Sequence, residues 1–261
     1  MAGPVIMPVM TGPTTRLGLP LAITACLFDL DGVLTRTALV HFAAWKRMFD
    51  DFLRARAERL GAPFVPFTQA DYNDQVDGRP RADGVRAFLA SRGITLPEGG
   101  PDDSPEADTV AGLAARKNPL FLRLIHENGV EVYPDAVEYV RAARDAGLGR
   151  AVVSSSANCK EILVAAGIDD LFVERIDGVV GRELGLRGKP APDTFLEGAR
   201  VLGVVPTQAA VFEDATAGVE AGRAGHFGFV VGVDRIGHAE DLLHHGADVV
   251  VCELTELLRS P

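Results

Sequence analysis

Short apolar runs that end abruptly in polar residues recur along the chain. From Leu21 the sequence reads L-A-I-T-A-C-L-F and then stops at D-L-D-G; A-V-V-S-S-S begins at Ala151 and A-A-V-F-E-D at Ala209. F-V-V-G-V follows at Phe229 and D-V-V-V-C at Asp248. Continuous apolar runs of this length suit strands buried on both faces of a parallel sheet. Between them lie helical patterns at Pro134–Ala146, Asn158–Ala166, Pro192–Leu202, Ala215–Ala224 and His238–His245, each closed by a nearby glycine. Strands alternating with helices predict an α/β fold, a doubly wound, Rossmann-like parallel sheet.

The texture changes after the first strand. Thr37–Leu60, Ala82–Arg92 and Val110–Asn128 read as helices joined by Gly/Pro-rich links, with no buried-strand pattern among them. An insertion this long is a folded module, because structureless loops of such length are rare in compact domains. The expected division is a core of residues 21–35 and 132–261, a helical cap domain of 36–131, and a loosely ordered extension of 1–20. The two junctions are candidate hinges.

Charge narrows the partners. The 261 residues hold 36 acidic and 26 basic side chains, a formal charge of −10, which disfavours nucleic acid as a partner because such affinity comes from basic side chains. The proline-rich first twenty residues lack the basic and apolar regions of a signal peptide, and no apolar run is long enough for a membrane span. Cys26, Cys159 and Cys252 are widely spaced and read as reduced, mostly buried thiols of a cytoplasmic protein. No protein partner is implied.

Four segments place chemistry at strand ends, where open α/β sheets build their sites. F-D-L-D-G puts Asp29 and Asp31 just beyond a strand, as a paired-carboxylate site or as an Asp-rich turn closed by Gly32. V-V-S-S-S-A-N offers Ser154 and the start of a helix, an anion site or a plain helix cap. R-G-K-P-A-P-D presents Lys189. V-F-E-D ends in Glu213 and Asp214, adjacent carboxylates that repel one another and favour a cation.

This set, in this order, resembles the haloacid dehalogenase superfamily from Leu21 onward. The resemblance implies that Asp29 is the nucleophile that becomes phosphorylated and Asp31 the general acid and base. It implies Mg²⁺ held by Asp29, the Asp31 carbonyl, Glu213 and Asp214, with Ser154, Ser155 and Lys189 on the transferring phosphoryl group. The module narrows the family. T-R-T-A-L-V-H-F-A-A-W-K, with His41 and Trp45 on one helix face, is similar to the first cap helix of the β-phosphoglucomutase-like subfamily, although a place in the cap core suits both residues as well.

V-D-G-R-P-R resembles that subfamily's loop for a distal phosphate, implicating Gly78 and Arg81, and A-A-R-K-N its substrate-contacting segment, implicating Lys117 and Asn118. V-Y-P-D, from Val132, matches its return to the core. Ser156 and Asn158 complete the implied substrate set. Two positions depart from the pattern: Arg36 stands where an acidic residue is frequent, and Ala157 where mutases commonly carry lysine, leaving Arg79 and Lys160 as candidate replacements. The implied activity is interconversion of β-glucose 1-phosphate and glucose 6-phosphate through an aspartyl phosphate and a 1,6-bisphosphate. The alternatives are a sugar-phosphate phosphatase and, from another class, a non-catalytic sugar-phosphate sensor, against which an acid at Asp31 counts.

Overall fold

A computed structural model describes residues 16–100 and 102–258. Six parallel strands form one sheet: β1 (Ala25–Phe28), β2 (Gly149–Val153), β3 (Glu174–Ile176), β4 (Ala209–Glu213), β5 (Phe229–Val233) and β6 (Val249–Val251). Their spatial order is β3-β2-β1-β4-β5-β6. The chain winds outward from β1 in one direction, then restarts on its other side at β4, so β1 lies at the point where the winding reverses. Ligand sites of such sheets form there, beyond the strands' C-terminal ends.

Both faces of the sheet are buried, as the runs of Val, Ala and Phe require. Successive residues alternate between two hydrophobic clusters: Cys26, Phe28, Val152 and Phe212 face one, and Ala25, Leu27, Val153 and Val211 the other. Phe28 and Phe212 stack at 4.5 Å, and Tyr139 packs edgewise on Phe28. Phe28 pairs in register with Val152 and with Phe212. One residue further, Asp29 therefore stands level with Val153 and Glu213.

Helices α1 (Thr37–Leu60), α2 (Gln69–Gln75), α3 (Arg81–Ser91) and α4 (Val110–Asn128) follow β1, and α5 (Pro134–Asp145) leads back to β2. α1–α4 share their own cluster around Phe49, Phe52, Phe67 and Phe88. The outgoing and returning segments pair as a short antiparallel ribbon: Thr35 bridges Val132, Arg36 N donates to Glu131 O at 2.9 Å, and Tyr133 N donates to Leu34 O at 2.9 Å. The remaining helices, α6 (Cys159–Ala166), α7 (Gly178–Glu183), α8 (Asp193–Val201), α9 (Thr216–Ala224) and α10 (Ala239–His244), flank the sheet.

Several features depart from the sequence reading. The hydrophobic pattern does not announce α2, α7 or β3: α2 buries a single side chain, Tyr72, and starts from a capping box between Thr68 and Asp71, while β3 has only three residues. Residues 1–15 of the expected extension lie outside the described residues. Residues 16–20 are not loose: Leu17 and Leu19 are buried, and the Tyr139 hydroxyl donates to Leu17 O at 2.9 Å. Cys26 and Cys159 are buried free thiols, but Cys252 is exposed. Among the described residues no helix is long and apolar enough to cross a membrane.

Because Leu17 fills the core beside Tyr139, Leu17→Ala should cost about 2–5 kcal/mol of stability, the usual range for truncating a buried leucine. Urea unfolding followed by circular dichroism measures this; an unchanged midpoint would show the segment to be ornamental.

Candidate active site

The register of the sheet delivers the carboxylates. Asp29 follows β1, Glu213 ends β4 and Asp214 follows it, and all three are buried. One carboxylate oxygen from each lies within 4.8 Å of the others. Such crowding needs small neighbours. Gly32 has φ +95°, and a Cβ there would lie 1.7 Å from Asp214 Oδ2; a Cβ on Gly218 would lie 1.8 Å from Glu213 Oε1. Glu213 Oε2 accepts from Ala215 N at 3.0 Å, and Asp29 Oδ2 accepts from Asp31 N at 2.8 Å.

Lys189 enters this cluster from the segment preceding α8. Its Nζ lies 2.5 Å from both Asp29 Oδ1 and Glu213 Oε1 and donates to Val153 O at 3.0 Å. Burial opposes the ammonium charge, but Asp29 and Glu213 outweigh it and raise the lysine's pKa. Asp29 is raised well above the usual carboxylate range by burial, with Glu213 and Asp31 adding to it against the pull of Lys189. Asp214 is raised by burial, then by Asp77 and Glu213. Three carboxylates face one ammonium, a balance of −2 when all are ionised. Hard oxygen donors with that deficit fit a divalent cation such as Mg²⁺ or Ca²⁺. Ser154 is buried beside them, its Oγ accepting from Ser156 N at 3.1 Å.

Asp31 points elsewhere, and its carboxylate takes no part in the three-oxygen cluster. Thr37 Oγ1 donates to its Oδ1, and His41 Nε2 lies 3.3 Å from the same oxygen without hydrogen-bond alignment. Behind His41, Nδ1 meets Lys117 Nζ at 2.7 Å, and Lys117 lies over the rings of Phe121 and Trp45. Burial and Arg81 hold the Lys117 pKa well below its ordinary value, and burial and Lys117 lower that of His41. Burial alone would raise Asp31, but His41, Thr37 and Lys117 bring it down to about 2. Asp31, His41 and Lys117 thus form a buried line that runs from the end of the sheet into the module.

A third group is shared between the helical module and the sheet. Arg81, at the start of α3, donates to Asn118 Oδ1 at 2.8 Å, and Asn158 Nδ2 donates to the same oxygen at 3.0 Å. Ser156 Oγ accepts from Asn158 N at 3.2 Å, and Ser155 Oγ donates to Gly78 O at 2.7 Å, which latches the helical module onto the sheet. Burial and then the charge of Arg182, on α7, lower the Arg81 pKa.

Most of the residues expected from the sequence thus converge in three groups, with one correction. Trp45 is 4 % exposed and stacks on Phe49 at 5.3 Å inside the module, where Lys117 lies between it and the site. Of the two candidate replacements for a cation at Ala157, Lys160 is exposed and Arg79 half-buried; Arg182 is a further cation whose charge acts on Arg81.

Thr37, Asp77, Arg182 and His238 join the site without a signal of their own in the sequence. Asp77 lies within V-D-G-R-P-R; burial is the main cause that raises its pKa to about 6, with Glu213 and Asp31 adding. His238 Nε2 donates to Asp214 O at 2.9 Å, a contact that no local pattern announces. A cleft of about 1220 Å³ runs from solvent between module and core to this side of the site, lined by Gly32, Phe42, Tyr72, Asp77, Asp214 and His238 among others.

The profile of the haloacid dehalogenase-like hydrolases matches residues 23–226. The chain belongs to that family. A beta-phosphoglucomutase from Mycobacterium tuberculosis is 55% identical over 246 residues, covering 93% of this chain and 94% of the relative. One from Bacillus subtilis is 32% identical, covering 89% and 91%. Among solved structures, a beta-phosphoglucomutase from Clostridium difficile superposes with a TM-score of 0.70 at 27% identity, covering 90% of this chain and 93% of that one. This member of the family thus shares length and fold with phosphomutases across nearly its whole chain.

The raised carboxylates make a stability prediction. A carboxyl with a higher pKa folded than unfolded binds more protons in the folded state, so its ionisation erodes stability as pH rises. For Asp77 that window runs from the unfolded value of 3.8 to about 6, with Asp29 and Asp214 acting in the same direction. The melting temperature of the cation-free protein should therefore fall from pH 4.5 to 7, and a divalent cation should restore it by mass action. Asp214→Asn should raise the cation-free melting temperature and abolish the cation response. A response preserved in Asp214→Asn would place the cation elsewhere.

Proposed function

We propose that the protein is a β-phosphoglucomutase that interconverts β-glucose 1-phosphate and glucose 6-phosphate. The observation that carries this reading is that one segment after β2 serves two phosphate-suited groups: Ser154 stands beside Asp29 and Lys189 at the end of the sheet, and Asn158 joins Arg81 and Asn118 of the module. A bisphosphate needs a site at each end. The cytoplasm is the proposed compartment, and residues 36–131 are the proposed cap, closing over the core of 21–35 and 132–261.

In this reading Asp29 attacks phosphorus; the P–O bond to the sugar breaks as the bond to the Asp29 oxygen forms, giving an aspartyl phosphate. Ser154 and Lys189 hold the equatorial oxygens. Asp31, ionised at rest, takes the proton of a sugar hydroxyl as that oxygen attacks the aspartyl phosphate and breaks its bond to Asp29, and gives the proton back to the sugar oxygen that leaves when Asp29 is phosphorylated. His41 and Lys117 keep Asp31 ionised and oriented. Mg²⁺ would be held by Asp29, Glu213, Asp214 and the Asp31 carbonyl, where it would neutralise charge between nucleophile and phosphate. Arg81, with Asn118, Asn158 and Ser156, takes the distal phosphate, and Arg182 supplies the charge that Ala157 lacks.

A phosphatase is the second reading, favoured by the cleft that leads solvent to Gly32 and Asp214. Incubation with Mg²⁺, β-glucose 1-phosphate and a trace of 1,6-bisphosphate, with glucose 6-phosphate and free phosphate measured in parallel, separates the two. Glucose 6-phosphate should dominate; release of phosphate alone would establish the phosphatase. Excess chelator should stop turnover and added Mg²⁺ restore it.

Asp29→Asn should abolish turnover and covalent phosphate, whereas Asp31→Asn should lose about 10²–10⁴ in rate while still binding substrate. An adduct on any other residue in mass spectrometry refutes the nucleophile. Arg81→Ala, losing a charge-assisted contact of about 1.5–3 kcal/mol, should weaken bisphosphate use about ten- to a hundredfold. Phosphorylation of Asp29 by acetyl phosphate, which has no distal end, should survive it.

A further inference from the structure

Arg235, in the loop after β5, takes no part in the three groups above, yet its side chain is only 9 % exposed. It reaches both crossings between sheet and helical module. On the outgoing side its Nε donates to Gly32 O at 3.3 Å and Nη2 to Val33 O at 3.4 Å. On the returning side its guanidinium carbon lies 3.9 Å from the centroid of the Tyr133 ring, and Nη2 donates to Asp135 Oδ2 at 3.0 Å. Nη1 donates to Cys252 O at 2.6 Å, which fixes the group to the end of the sheet. Asp135 Oδ2 also accepts from Leu254 N at 2.7 Å, and Arg36 lies over the same Tyr133 ring at 5.0 Å.

We propose that Arg235 is a positioning residue that pins both crossings to the sheet and so sets where the helical module rests over the carboxylates. Its planar fork suits this placement, because donors in fixed directions address three backbone carbonyls and a carboxylate while the flat face stacks on an aromatic ring. A lysine offers one point charge and no stacking face. Arg235 acts through the placement of the module rather than on substrate. Groups contributed by the module, Arg81 and Asn118 above all, therefore depend on it more than Asp29 does, whose neighbours Lys189 and Glu213 are held by the sheet.

The kinetic consequence rests on the phosphomutase reading; the geometric one does not. Spin labels on Ala55→Cys in α1 and Ala165→Cys in α6, in a Cys252→Ser background, report the separation of module and sheet by pulsed electron resonance. With Mg²⁺ and glucose 1,6-bisphosphate the parent should show one narrow distribution. Arg235→Gln should broaden it and raise the bisphosphate KM about tenfold, as hinge changes do. Labelling of Asp29 by acetyl phosphate should change far less. Arg235→Lys should not rescue, since charge without the fork does not span the crossings.

A distribution unmoved in Arg235→Gln overturns the proposal whatever the activity does, and so does full rescue by lysine. Should Arg235→Gln fail to fold, Tyr133→Leu removes only the stacking face and should broaden the distribution by itself; an unchanged distribution there is equally fatal. A parent protein inactive on β-glucose 1-phosphate would end the mutase reading and leave the distance measurement to decide the hinge.

Discussion

One buried ammonium organises the centre of this molecule. Lys189 bridges Asp29 and Glu213 at 2.5 Å with Asp214 alongside, in a space from which water is largely excluded. Buried like charges are costly and tend to protonate rather than coexist. The sheet nevertheless forces these carboxylates together, because strand register and two close-approach glycines leave them nowhere else to go. The resulting strain is electrostatic and has one remedy, additional positive charge. A fold that concentrates negative charge in this way is poised for a cation and, through it, for a phosphate that would otherwise be repelled.

The other two groups answer different needs. Asp31 must be kept apart from the cluster if it is to move protons, and its bond to Thr37 with His41 and Lys117 behind it does that. The Arg81 cluster must be reachable yet shielded, and it is built from both module and sheet so that it is complete only when the two meet. The Ser155–Gly78 bond lies at this seam. The labour is thus divided between a charged centre at the end of the sheet and a second group that sheet and module build together.

Much of this is legible in the sequence because it is local. The D-L-D-G and E-D strings end apolar runs, and an apolar run ending in carboxylates can fold in few ways. The long helices α1 and α4 carry enough periodicity to be placed within a residue. What escapes is either too short or non-local. β3, with Glu174 and Arg175 before Ile176, has no pattern to read, and α2 is held by its Thr68–Asp71 cap rather than by an apolar stripe. The contacts of His238 with Asp214 and of Arg235 with Gly32 join residues 24 and 203 positions apart; only the wound sheet makes them neighbours. Trp45 admits two readings because a helix face says which residues align, not which of them a neighbouring helix will cover.

The pairing of Thr35 with Val132 has a consequence for the history of such chains. Where an insertion leaves and re-enters through adjacent ribbon strands, its ends are already joined by hydrogen bonds, and its length is invisible to the sheet beneath. Helices can be gained, lost or exchanged there without re-registering a single strand. The reaction then becomes the inherited property of the lineage, and the choice of molecule to act upon the part free to diverge.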